Sequence, residues 1–216
     1  VFFGRAQFTG PDTIQVGEHT LRFKKAVIAT GARASKPPTP GLIEAGYLTN
    51  ETVFSITELP RRLAVIGAGP IGCELAQAFA RFGSQVYLIE AMHGIIPNED
   101  RQAAEIVLQS MTRDGVQLLC CGKDLKISSA ADVKQLTVDS HGRHYDITVD
   151  EILVGIGRLP NVEGLGLETV GVQFDKTGVL VNDRLQTTNS RIYAAGDICS
   201  RYKFTHAADA MARIVI

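Results

Sequence analysis

Hydrophobic and polar positions along the chain alternate first at the period of strands and then at the period of helices. From Val1 to Thr30, short alternating stretches are punctuated by Thr9-Gly10-Pro11-Asp12 and Val16-Gly17-Glu18, which predicts a β-meander. Ala26–Thr30 reads as a buried strand ending at Gly31. The segment Lys36-Pro37-Pro38-Thr39-Pro40-Gly41 cannot be helical and marks a domain boundary. Leu63–Ile66 is a second buried strand running into Gly67. The helix after it presents Ile71, Leu75, Ala78, Phe79 and Phe82 as one apolar face, with Gly83 ending it. Gln85–Ile89 is a strand terminating in Glu90. A helix from about Glu99 to Arg113 groups Ala104, Val107, Leu108 and Met111, and Gly115 stops it. Val116–Leu119, Glu151–Val154 and Ile192–Ala195 read as further strands. Hairpins are expected at Ser140-His141-Gly142 and at Asp175-Lys176-Thr177-Gly178, and a last helix begins near Thr205. Strands alternating with helices predict an α/β fold with a parallel sheet.

Composition adds mainly exclusions. The 216 residues are 45% hydrophobic and 21% charged, with a net charge of −1. That balance, without any basic run, gives no reason to expect nucleic acid or an anionic membrane as partner. No apolar run is long enough to span a bilayer, and Val1-Phe2-Phe3-Gly4-Arg5 lacks the pattern of a secretory leader. The chain starts without Met and ends on an apolar run, so it is expected to be cut at both ends. Cys73, Cys120, Cys121 and Cys199 show neither CxxC nor zinc-ligand spacing. They are expected to be reduced thiols of a cytoplasmic protein, with no metal site.

The sharpest motif is Gly67-Ala68-Gly69-Pro70-Ile71-Gly72, between a strand and an amphipathic helix, with an acid at the end of the next strand. In such a βαβ unit Gly67 makes the tight turn, Gly69 lets a pyrophosphate approach the backbone, and Gly72 lets helix and strand pack closely. The helix N-terminus favours the anion, and Pro70 suits the first helical position. Glu90 is placed to accept hydrogen bonds from ribose hydroxyls and to repel a 2′-phosphate, so NAD(H) is expected over NADP(H); His93 could soften that preference.

With these motifs in order, Leu63–Ala76 resembles the NAD(P)H-binding motif of the class I pyridine nucleotide–disulfide oxidoreductases. Ala29-Thr30-Gly31 resembles that family's strand-to-flavin junction. Gly155-Ile156-Gly157-Arg158-Leu159-Pro160-Asn161 resembles the exit from its NAD domain, and Ala194-Ala195-Gly196-Asp197 its second flavin motif. Gly-Arg-x-Pro-Asn leans toward the branch with dihydrolipoamide dehydrogenase, glutathione reductase and mercuric reductase. Glu74–Arg81 is most similar to mercuric reductases, whereas Glu90 is more like dihydrolipoamide dehydrogenases. The resemblance implies a Rossmann-like NAD(H) domain over 47–157, flanked by incomplete FAD-domain segments at 1–46 and 158–216. It assigns Gly67, Gly69, Pro70, Ile71, Gly72, Glu90, Gly155 and Gly157 to the nicotinamide dinucleotide. Thr30, Gly31, Gly196, Asp197 and Thr205 go to FAD, with Asp197 accepting from a ribityl hydroxyl and Thr205 capping a helix aimed at the flavin. Glu74 is the implied catalytic residue, beside the nicotinamide and paired with a lysine of the helix bearing the redox cysteines. His206 is read as incidental.

The departures are as informative. The family's Cys-x4-Cys disulfide, its first flavin-binding G-x-G-x-x-G and its C-terminal dimerisation domain have no counterpart in this sequence. Cys120-Cys121 do not match the vicinal cysteines of mercuric reductases, which lie at the far C-terminus. The expectation is therefore the NAD(H)-binding portion of a longer, homodimeric flavoenzyme that passes hydride from NADH to FAD and on to a disulfide or metal substrate. Its remaining FAD and dimerisation domains would be partners, and this portion is expected to be inactive alone. Two rivals remain. A short-chain dehydrogenase would want Tyr-x-x-x-Lys, which is absent. A non-enzymatic NAD(H)-binding redox sensor would leave the flavin motifs without a purpose.

Overall fold

The computed structural model describes residues 1–130 and 133–216. The chain opens with an antiparallel meander of β1 (Ala6–Gly10), β2 (Thr13–Val16) and β3 (His19–Arg22). Strands β4 (Ala26–Ile28) and β5 (Ala32–Ala34) follow, then the single turn α1 (Leu42–Ala45). Strand β6 (Arg62–Ile66) leads into helix α2 (Pro70–Phe82), β7 (Gln85–Ile89), helix α3 (Arg101–Arg113) and β8 (Gln117–Leu119). Three long strands come next, β9 (Lys123–Ala130), β10 (Val133–Ser140) and β11 (Arg143–Val149), and then β12 (Glu151–Val154). The remainder holds β13 (Arg158–Pro160), the hairpin β14 (Phe174–Asp175) and β15 (Gly178–Val179), β16 (Ile192–Ala194) and helix α4 (Thr205–Val215).

These elements sort into two compact units, one of residues 1–33 with 158–216 and one of 34–157. Segment 34–46 therefore belongs to the second unit, although its proline-rich composition reads as a boundary. Leu42 is buried in that unit, and Ile127 donates its N–H to the Pro40 carbonyl at 3.0 Å.

The second unit is built on a parallel sheet in the order β12-β6-β7-β8. Strand β6 carries an unbroken apolar run because both faces of this sheet are covered. Leu63 and Val65 pack with Cys73, Ala76, Phe79 and Met111 on the side of α2 and α3. Ala64 and Ile66 pack with Ile127, Leu136, Val138 and Ile147 of the antiparallel meander β9–β10–β11. Strand β9 carries no apolar alternation strong enough to be read from sequence.

Helix α2 buries Gly72, Cys73, Ala76 and Phe79, while Phe82 is 69% exposed. The predicted face holds at Phe79, which is buried, and at Leu75, which packs against the core, and is corrected at Phe82. The large apolar residues suggested one stripe, but small residues set the contact because they allow the helix to approach the sheet closely. Gly83 ends α2 at φ 104°, donating to the Ala80 carbonyl. Helix α3 begins two residues later than expected, because the Asp100 carboxylate accepts the N–H groups of Gln102 and Ala103 and fixes the cap there.

In the first unit, β16 pairs in parallel with β4, and Phe8, Ile28, Leu167, Ile192 and Ile198 form the core. Among the described residues, no helix is long and apolar enough to cross a membrane.

Candidate functional site

The turn after β6 is shaped by three glycines in contact. Gly67 sits at φ 101° and donates its N–H to the Ile89 carbonyl at 2.8 Å, binding the turn to β7. A Cβ on Gly72 would lie 1.9 Å from the Gly67 oxygen, and one on Gly67 would lie 2.8 Å from the Gly155 oxygen. Backbone meets backbone at all three positions, so no side chain could give way. Gly69 is the cap residue of α2 and Pro70 its first residue. At Gly69 the nearest atom to an added Cβ is 4.0 Å away, so open space faces that position.

That space is a cavity of about 670 Å³, lined by Gly67, Gly69, Pro70, Ile71, Glu90, Gly155 and Gly157 among others. The structure thus gathers seven of the predicted residues around one opening, at the N-terminus of a 13-residue helix. Gly72 lies beneath as packing. Glu74 is exposed on α2 and lies outside the lining.

Glu90 holds more than its place at the strand end. Its Oε2 accepts the Ala68 N–H at 2.7 Å and its Oε1 accepts the Met92 N–H at 2.9 Å. A carboxylate offers about four lone-pair sites, so further acceptor capacity remains on both oxygens.

The first unit holds a second cavity, of about 380 Å³, lined by Gly31, Arg158, Gly196, Asp197 and Thr205 among others. Asp197 is paired with Arg158, Oδ2 to Nη1 at 2.7 Å, and its side chain is only 12% exposed. Arg158 also donates from Nη2 to the Ala32 carbonyl at 2.9 Å, while its buried Nε has no partner among the described residues. The sequence motif that contains Arg158 assigns it no role. A basic residue directly after Gly157, inside the Gly155–Asn161 segment, is the signal that could find it. Thr30 lies outside the lining, its hydroxyl donating to the Asn161 carbonyl at 3.1 Å. Thr205 needs correction. It is the first residue of α4 rather than its cap, the cap position is Phe204, and no side chain caps this helix.

Burial pushes the thiols of Cys73 and Cys199 up to about 11. Neither is poised as a thiolate, and both donate weakly to backbone carbonyls, Ala68 and Gly196.

Comparison with known proteins agrees with this arrangement. The family model described as pyridine nucleotide-disulphide oxidoreductase matches residues 1–212. The chain belongs to that family. Members of this oxidoreductase family use FAD and NAD(P)H. A mercuric reductase of Staphylococcus aureus is 37% identical over 206 residues, covering 95% of this chain and 38% of that protein. A dihydrolipoyl dehydrogenase of Thermus scotoductus is 35% identical over 215 residues, covering 95% of this chain and 45% of its own length. Among solved structures, the HOCl-induced flavoprotein disulfide reductase RclA from Escherichia coli superposes with a TM-score of 0.90 at 32% identity, over 98% of this chain and 48% of that one. The chain thus spans less than half the length of these three family members.

Proposed function

We propose that residues 34–157 bind a nicotinamide dinucleotide, NAD(H) in preference to NADP(H), as part of a flavin-dependent oxidoreductase. The observation that carries this reading is Glu90 on the wall of the glycine-framed cavity. A dinucleotide fits the residues present. The bare backbone at Gly69 and the start of α2 would take the pyrophosphate, where unpaired N–H groups and the positive end of the helix favour an anion. The remaining lone pairs of Glu90 would accept the adenosine ribose hydroxyls, and a carboxylate there opposes a 2′-phosphate. Gly155 and Gly157 add backbone without side chains to the lining on either side of Ile156. The strand order β8-β7-β6-β12 supports the reading, matching the 3-2-1-4 part of a dinucleotide-binding sheet.

In the first unit Gly31, Gly196, Asp197 and the α4 N-terminus at Thr205 would hold part of FAD, which fits a cavity offering both an acid and an unpartnered Arg158 N–H. Thr30 would serve the same group through its backbone. Glu74 would act beside the nicotinamide, oriented by a cation from elsewhere in a longer chain. When bound, these cofactors supply the hydride chemistry, and the protein supplies position and electrostatics. The whole protein is read as a homodimer acting on a disulfide or metal substrate.

Titration of this chain with NADH and NADPH, followed by nucleotide fluorescence, tests the central claim. NADH is expected to bind at least tenfold tighter, about 1.4 kcal/mol. Equal affinity, or tighter NADPH, would sink it.

A further inference from the structure

Four residues with soft-metal chemistry, from three separate segments of the second unit, converge beyond the Glu90 turn. His93 follows the turn after β7. Cys120 and Cys121 leave the end of β8, and His141 sits at the tip of the β10–β11 hairpin. One ligand atom from each lies within 4.8 Å of all the others. Cys120 Sγ is 3.2 Å from His141 Nε2, and Cys121 Sγ is 3.6 Å from His93 Nδ1. The two imidazoles stand nearly perpendicular, with centroids 6.3 Å apart.

The backbone holds this set in place. Cys121 donates its N–H to the Met92 carbonyl at 3.0 Å, and the Ser140 hydroxyl donates to the Cys120 carbonyl at 2.6 Å. Cys121 and His141 both have positive φ, 56° and 49°. The hairpin turn with Gly142 accounts for His141. No hairpin accounts for Cys121, and strained non-glycine residues cluster at functional sites.

We propose that His93, Cys120, Cys121 and His141 bind one thiophilic d10 cation, Zn²⁺ or its soft monovalent analogue Cu⁺, in a tetrahedral N2S2 shell. Zinc sites have metal–nitrogen bonds of about 2.0–2.1 Å and metal–sulfur bonds of about 2.3 Å, so the edges of such a tetrahedron run roughly 3.3–3.8 Å. The separations of 3.2 and 3.6 Å already fall near that range, and the 4.8 Å ceiling requires closure of only about 1 Å. Thiolate and imidazole select Zn²⁺ and Cu⁺ against Mg²⁺ and Ca²⁺, which want oxygen. Cys120 forms a buried floor, while the exposed His93 and His141 leave a path from solvent. Binding would displace both thiol protons to solvent and use neutral imidazoles, so two protons leave for each ion bound. Sequence spacing hides the set because adjacent cysteines fit no metal framework and the histidines arrive from other loops. The proposal is independent of the dinucleotide reading.

The test begins with reduced, metal-free chain, titrated anaerobically with Zn²⁺ against a chromophoric chelator. One ion per chain with release of two protons is expected, and excess Mg²⁺ should not compete. Cys120→Ser, Cys121→Ser, His93→Ala and His141→Ala should each weaken binding at least tenfold. Two measurements need no variant. Co²⁺ should give the intense visible bands of tetrahedral thiolate coordination, and bound Zn²⁺ should protect two of the four thiols from a thiol reagent. Cu⁺ displacing Zn²⁺ with the same four residues required supports the same site. No stoichiometric binding, a Co²⁺ spectrum without thiolate bands, or binding that survives loss of both cysteines would overturn the proposal.

Discussion

The Oε2 of Glu90 accepts the backbone N–H of Ala68 at 2.7 Å, so the acid at the end of β7 braces the middle of the glycine turn at the end of β6. Glu90→Arg is therefore expected to do two things. It should narrow or reverse the NADH preference, read by parallel nucleotide titrations. It should also lower unfolding free energy by about 1.5–3 kcal/mol, the range for hydrogen bonds to a charged acceptor, in chemical denaturation. A change in preference without loss of stability would mean the brace contributes nothing.

Gly72→Ala places a methyl group where the Gly67 oxygen stands. Alanine normally improves a helix by about 1 kcal/mol over glycine. Here the sign should invert, with a net loss of roughly 1–3 kcal/mol as in overpacked cores. Urea unfolding measures it, and a stabilised variant would show that the turn is looser than described.

Asp197→Ala leaves Arg158 without its carboxylate, in a pair whose acid is nearly buried. A destabilisation of about 1.5–3 kcal/mol is expected from thermal unfolding. In a longer form of the protein that retains FAD, the same change should also weaken flavin retention on gel filtration.

Asp150 takes both the backbone N–H of Arg62 and its guanidinium, at 2.8 Å and 2.5 Å. The Arg62 contacts hold its carboxyl below the usual carboxylate range. A depressed folded value stabilises above the unfolded pKa and is lost as pH falls through the folded one. Asp150→Asn should thus cost about 1 kcal/mol at pH 7, allowing for solvent screening of a half-buried pair. The gap between variant and parent should close below about pH 3.9. A gap independent of pH would mean that charge is not its source.

Glu74 is exposed, so Glu74→Gln should leave stability within about 0.5 kcal/mol. In a longer flavin-bearing form it should slow flavin reduction by NADH with little effect on NADH affinity. Stopped-flow reduction at the parent rate would return Glu74 to the role of a solvated helix carboxylate.

How much of this could be read in advance depended on whether the chemistry was local. The βαβ turn was legible because Gly67, Gly69, Gly72 and Glu90 lie within one stretch of chain and each has a conformational or charge reason to be there. Gly155 was legible only through resemblance, since its contact with Gly67 joins the ends of neighbouring strands that lie far apart in sequence. The packed face of α2 was legible only in part, at Leu75 and Phe79, because Gly72 and Ala76 carry little hydrophobicity of their own. The α4 cap was misplaced because Thr205 has the right side chain in the wrong register. Arg158 and the Cys–His cluster depend on tertiary approach, which no spacing rule records.

Strand β12 returns to lie beside β6 only after the chain has completed β7, α3, β8 and the whole β9–β11 meander. The wall that Gly155 gives the cavity is therefore the last part to be synthesised. A nascent chain that has emitted only the glycine motif and its helix holds the recognisable signature but not the enclosure. Because closing such a long loop precedes any reward from the contact, cofactor affinity should arrive late in folding and all at once, rather than growing with the motif that advertises it.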